Sequence, residues 1–225
     1  MQNSRNSFAG ALPVVTKNII IINAIVWLAQ FVLLRRGGLD LTQLFGLHFP
    51  ASDNFRLYQL VTYMFLHDPH SLAHVFFNMF AVFMFGRTLE HVWGPKRFIT
   101  YYLVTGVGAG LIQILVIYLR ASAALPPEMF SMINSVTVGA SGAVFGILLA
   151  FGMLFPNAQL FIIPFPFPIK AKWFVIGYGI LELIFGVANR TGDNVAHFAH
   201  LGGMLFGVFM IIYWRRKDRR HGRYY

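Results

Sequence analysis

The chain has 225 residues, of which 57% are hydrophobic, 16% aromatic and 12% charged, with a mean hydropathy of +0.62 and a net charge of +10. A soluble domain wets its surface with roughly 25% charged residues, so this composition excludes soluble enzyme folds, disordered chains and nucleic-acid modules, and describes an integral membrane protein. The positive charge is concentrated at one end: Arg215, Arg216, Lys217, Arg219, Arg220 and Arg223 hold six of the 18 basic residues behind the last apolar run, as a juxtamembrane anchor.

Six apolar spans follow one another. The first, about 15–34, succeeds a polar start, carries no small-residue cleavage site, and reads as a retained helix. The segment about 35–71 mixes polar residues with Leu44, Phe45, Leu47, Phe49, Tyr58, Leu60, Val61, Tyr63 and Phe65, and is expected to lie in the membrane interface. The second span, about 72–93, stops at Gly94-Pro95, and the third runs about 98–119. The fourth, about 138–155, ends before the turn signal Pro156-Asn157. Pro164, Pro166 and Pro168 then forbid a continuous helix. The fifth span is about 173–187 and the sixth about 195–214. The expected architecture is an all-α, six-transmembrane-helix bundle forming one domain over 1–225, with its core at about 15–214 and a basic cytoplasmic tail over 215–225.

With both termini in the cytoplasm, 13 of the basic residues fall inside and only Arg35, Arg36, Arg56, Arg120 and Arg190 outside. That bias obeys the positive-inside rule, so even-numbered spans run from outside to inside. The absence of cysteine removes disulfides, thiolate metal sites and cysteine nucleophiles.

Polar residues inside spans are costly and therefore informative. His74 and Asn78 share one helical face at the start of the second span, Gly139-Ala140-Ser141-Gly142 opens the fourth, and His197 and His200 open the sixth. All three sets belong to spans that begin outside, so they share one depth. A serine hydroxyl becomes a nucleophile when an imidazole takes its proton. Ser141 and His200 supply that pair if spans four and six touch, which the G-x-x-x-G pairs Gly142/Gly146 and Gly203/Gly207 favour. His74, Asn78 and the Ser141 backbone N–H are the candidate oxyanion donors. Phe145, one turn below Ser141, is suited to pack on the imidazole. No acidic residue lies near His200 in either of those helices, so a Ser-His dyad without a carboxylate is expected.

Each residue alone has a plainer reading: Ser141 as helix packing, Asn78 as interhelical glue, His200 as a satisfied core histidine, Phe145 as core. The constellation at one depth favours chemistry. A metal site built from His67, His70, His74, His197 and His200 is the rival, but no H-E-x-x-H motif is present and Pro69 interrupts the first cluster. The nearby acids, Asp68 and Asp193, fall in loops. No metal and no cofactor are expected. Glu182, alone in the fifth span, is thin support for an ion pathway. Glu90 and Arg87 read as a charge pair or snorkelling anchors.

These motifs resemble the rhomboid family of intramembrane serine proteases. The resemblance rests on His74-x-x-x-Asn78, on Gly139-Ala140-Ser141-Gly142, on Ala199-His200-Leu201-Gly202-Gly203 with Gly207, and on the connection through Phe85-Gly86, Glu90, Trp93-Gly94 and Arg97-Phe98. It covers about 58–207. It implies Ser141 as nucleophile, His200 as general base, His74 and Asn78 at the oxyanion site, and a membrane-embedded first loop. Where some members carry Trp-Arg in that loop, this chain reads Tyr58-Gln59. The resemblance further implies hydrolysis of peptide bonds in or near transmembrane segments of other membrane proteins. The lipid bilayer is the partner, no nucleic acid is involved, and the six-helix type suggests a bacterial plasma membrane. The alternative is a non-catalytic chaperone or scaffold of the same fold.

Overall fold

A computed structural model describes residues 12–161, 167–188 and 196–220. In chain order the helices are α1 Val14–Gly37, α2 Leu41–Phe45, α3 Gln59–Thr62, α4 Leu72–Ala81, α5 Arg87–Trp93, α6 Pro95–Ala121, α7 Pro126–Ile133, α8 Ser141–Leu154, α9 Ala171–Ala188 and α10 His197–Arg220. A π turn at Val82–Gly86 joins α4 and α5 into one rod. Among the described residues, five helices are long and apolar enough to cross a membrane: α1, the rod Leu72–Trp93, α6, α9 and α10. The chain is a multi-pass membrane protein with an all-α bundle. Pro164, Pro166, Arg190, Asp193 and Arg223, named above, lie outside the described residues.

The fourth apolar run departs from expectation in length. Its helix begins at Ser141 and has 14 residues, about 21 Å at 1.5 Å per residue, against about 30 Å of hydrocarbon. The missing turn has a backbone cause. Gly139 sits at φ +130°, where a helix cannot continue, and Thr137 is drawn into a two-way bridge with Leu47 at 2.9 Å each way. Gly139 N–H donates to the Tyr63 carbonyl at 3.0 Å. Irregular backbone at membrane depth must be paired within the protein, and here the first loop pairs it.

That loop therefore does more than lie in the interface. Leu44, Leu57, Tyr58 and Val61 are exposed, but Leu47, Tyr63, Met64 and Leu66 enter the core. The Tyr63 hydroxyl donates to the Gly106 carbonyl of α6 at 2.7 Å. Gln59, fully buried, is the loop's internal post. Its Oε1 accepts from the Arg56 N–H at 3.1 Å, and its Nε2 donates to the Asn54 and Leu44 carbonyls at 2.9 and 3.2 Å. On α1, Gln30 clamps the far end of the loop. Its Nε2 donates to the His67 carbonyl at 2.9 Å and its Oε1 accepts the His67 N–H at 3.0 Å.

The centre is α10 packed along α6 and α8. The glycine pairs divide their work in a way the sequence does not reveal. A Cβ on Gly203 would land on the Gly142 carbonyl, so α8 and α10 touch backbone to backbone there. Gly146 and Gly207 instead face α6, against Thr105 and the Tyr101 hydroxyl. That hydroxyl donates to the Gly146 carbonyl at 2.8 Å. At the opposite end, the basic stretch is not a separate tail as far as Arg220: it continues α10, and Asp218 makes a two-pronged ion pair with Arg97 at 2.7 and 2.9 Å. The Glu90 carboxylate, expected with Arg87 as a charge pair or snorkelling anchors, also caps the start of α1. It accepts from the N–H groups of Val15 and Thr16 at 2.9 and 2.7 Å and from the Thr16 hydroxyl at 2.7 Å.

Candidate active site

Three elements of structure converge on Ser141. Gly139 turns the chain so that Ser141 is the first residue of α8, where its N–H has no partner one turn back in the helix. The Gly142–Gly203 contact brings α10 alongside. His200, one turn into α10, then lies with Nε2 2.8 Å from Ser141 Oγ. Phe145 stacks on a face of the imidazole, with ring centroids 4.2 Å apart and planes at 6°. Tyr178 of α9 backs Phe145 at 4.9 Å.

His74 arrives from α4. Ser71 caps that helix by accepting the His74 N–H at 3.3 Å. His74 Nδ1 accepts the Asp68 N–H at 3.4 Å, which assigns the ring proton to Nε2. A Cβ built on Gly139 would stand 3.1 Å from His74 Nε2 and 3.5 Å from Ser141 Oγ, so both atoms border the same recess. Asn78, 7% exposed, follows one turn along α4. Ser141, His200, His74, Gly139, Gly142, Phe145 and Gly203 are thus gathered in one region, with Asn78 buried on the helix that carries His74.

The other histidines separate. His70 is exposed, with its backbone N–H on Asp68. His67 is buried edge-on to His74 at 4.9 Å, and neither of its ring nitrogens has a hydrogen-bond partner. Burial holds the His67 ring neutral, lowering its pKa from 6.5 to about 3.

A third polar side chain, absent from the two-member reading, adjoins His200. Glu182 of α9 is buried, and its Oε2 lies 2.8 Å from His200 Nδ1 and 2.7 Å from His197 Nδ1. Glu182 is on neither of the helices that carry Ser141 and His200, so spacing along those helices does not reveal it. The available signal was the cost of a lone carboxylate in an apolar span, which demands a partner. Among the described residues, Glu182, His197 and His200 form a group able to hold a metal ion by composition, with ligand atoms within 4.8 Å of one another. The two imidazole nitrogens, however, crowd one carboxylate oxygen at hydrogen-bonding distance. Ligands around a tetrahedral zinc with bonds of about 2.0–2.1 Å stand roughly 3.3 Å apart. The arrangement is that of two N–H donors on one acceptor.

Comparison with known proteins follows the same lines. The Rhomboid domain model matches residues 54–217, well over half of the sequence. The chain belongs to the rhomboid family. Similar relatives include Rhomboid protein 1, mitochondrial, of Saccharomyces cerevisiae, 32% identical over 135 residues, covering 60% of this chain and 36% of that protein. Rhomboid-like protein 11, chloroplastic, of Arabidopsis thaliana is 31% identical over 86% of this chain and 62% of its own length. Rhomboid protease AarA of Providencia stuartii is 26% identical over 62% of this chain and 50% of its own. This rhomboid spans less than two thirds of the length of these curated relatives.

Proposed function

We propose that this rhomboid is an intramembrane serine endopeptidase that hydrolyses peptide bonds in or near transmembrane segments of other membrane proteins. The observation that carries the reading is the 2.8 Å contact between Ser141 Oγ and His200 Nε2, with His74 Nε2 beside the same recess. In the reaction, His200 Nε2 takes the serine proton as Oγ bonds to the substrate carbonyl carbon. The oxyanion is received by His74 Nε2–H, the Asn78 side chain and the Ser141 N–H at the positive end of α8. Collapse breaks the C–N bond, and the amine leaves with the proton from His200. Water then attacks the acyl-enzyme by the same proton path, releasing the acid and restoring Ser141. A helical substrate must unwind locally first, because its carbonyls are otherwise held in hydrogen bonds. No metal takes part.

The proposal extends to the chain as a single rhomboid domain in a bacterial plasma membrane, both termini cytoplasmic, with its site near the outer side. The test uses the purified chain in detergent with a fluorophosphonate probe. Wild type is labelled and Ser141→Ala is not, and a model transmembrane substrate is cleaved equally with and without EDTA. Equal labelling of both proteins overturns the nucleophile assignment, and no labelling of wild type favours a binding scaffold. Loss of cleavage in EDTA favours a metal mechanism.

A further inference from the structure

The proposed reaction leaves one buried charged group unused. On α9 the buried positions are Ala171, Val175, Glu182 and Gly186, a single stripe at helical spacing, while most of the helix is exposed. The stripe is pressed against the start of α10: a Cβ on Gly186 would meet the Phe198 ring at 2.9 Å and His197 Cβ at 3.2 Å. Arg120 of α6 donates to the Gly186 carbonyl and ties that end of α9 down. Glu182, one turn earlier, is thereby aimed at the two histidines of α10's first turn.

We propose that Glu182 is the positioning residue of His200, a carboxylate that takes the Nδ1–H of His200 and so keeps the Nε2 lone pair turned toward Ser141. The reasoning is a proton count. For His200 to accept the serine proton, Nε2 must be bare, and a neutral imidazole then carries its proton on Nδ1. That N–H lies between α9 and α10, where the side chains of His200 and Glu182 are only 10% and 6% exposed, and needs an acceptor. Glu182 Oε2 is 2.8 Å away. When Ser141 gives up its proton, His200 becomes a cation at unchanged distance from an anion, and the pair compensates the new charge without moving. His197 adds a second donor to the same oxygen at 2.7 Å. Two N–H groups on one carboxylate oxygen satisfy a charge that the bilayer would otherwise penalise. Phe145 fixes the plane of the ring, and Glu182 fixes which of its nitrogens is bare.

This inference rests on the protease reading, and its test separates the two. Labelling by fluorophosphonate is followed in time for wild type, Glu182→Gln and Glu182→Asp, alongside ¹⁵N spectra of histidine-labelled protein in which His200→Gln assigns the His200 signals. Gln keeps the shape but can present its NH₂ to Nδ1, which reverses the tautomer. The expected result for Glu182→Gln is a labelling rate lower by about 10²-fold or more, with the labelled fraction unchanged, since loss of the carboxylate from a Ser-His-Asp set costs about 10⁴-fold. The His200 signals pass from the Nδ1–H to the Nε2–H tautomer. Glu182→Asp keeps a charge and falls between the two. A rate within threefold of wild type with the tautomer unchanged overturns the proposal. So does a fall in labelled fraction at constant rate, which marks a purely structural role. If wild type is never labelled yet its His200 tautomer depends on Glu182, the protease reading fails while the positioning role stands.

Discussion

At the scale of single residues, the recess depends on an atom that is missing. Gly139 holds φ +130°, and any side chain there would enter the space between His74 Nε2 and Ser141 Oγ. Gly139→Ala adds backbone strain of about 1–3 kcal/mol and places a methyl 3.1 Å from His74 Nε2. The expected outcome is a fluorophosphonate labelling rate at least tenfold below wild type, together with a lower melting temperature in detergent. A variant that labels at the wild-type rate would show that the recess beside Gly139 is not where the reactive group binds. The residues that define this recess were legible in the sequence because a histidine, an asparagine or a serine in an apolar span stands out. Glu182 stood out equally, but its partners are 15 and 18 positions away on another helix, and spacing along one helix says nothing about such contacts.

At the scale of helices, the approach of α8 to α10 has no slack. Gly203→Ala drives a methyl into the Gly142 carbonyl, so the helices must part. Overpacking of this kind costs about 1–3 kcal/mol, and the same displacement draws His200 from Ser141. Stability and labelling are expected to fall together. Gly179→Ala on α9 is the contrast: its Cβ meets Met204 at ordinary distances of 3.4 and 3.6 Å, and removing a helical glycine gains roughly 0.5–1 kcal/mol. Thermal melts of both variants check the pair; a Gly203→Ala protein as stable as Gly179→Ala would contradict the close-contact account. Helix identities follow from the apolar runs, whereas several ends do not. The start of α8 is decided by Thr137 pairing with Leu47 across 90 positions, and α10 is tied down beyond its apolar run by Asp218 meeting Arg97. Both are tertiary contacts that override local pattern. The short helices α2, α3 and α7 carry too few residues for any periodicity to register.

At the scale of the whole molecule, stability has an acid limit set by the loop. His67 is buried and uncharged, its pKa lowered from 6.5 to about 3, chiefly by removal from water. As pH falls below 6.5 the unfolded chain binds a proton there and the folded chain does not, so stability declines down to about pH 3. The slope approaches 1.36 kcal/mol per pH unit from this group. Denaturation in detergent between pH 7 and 4 is expected to show a steeper loss for wild type than for His67→Leu, which keeps the backbone clamp to Gln30. Identical slopes would refute the assignment. The brevity of α8 acts on the same scale. Nine of its 14 residues are buried, so acyl chains never sense that it is short. Ser141, at the start of α8, therefore stands about 21 Å from the helix's far end, whatever the thickness of the surrounding lipid. A thicker bilayer would lengthen the path of an incoming segment to Ser141 and leave the length of α8 unchanged.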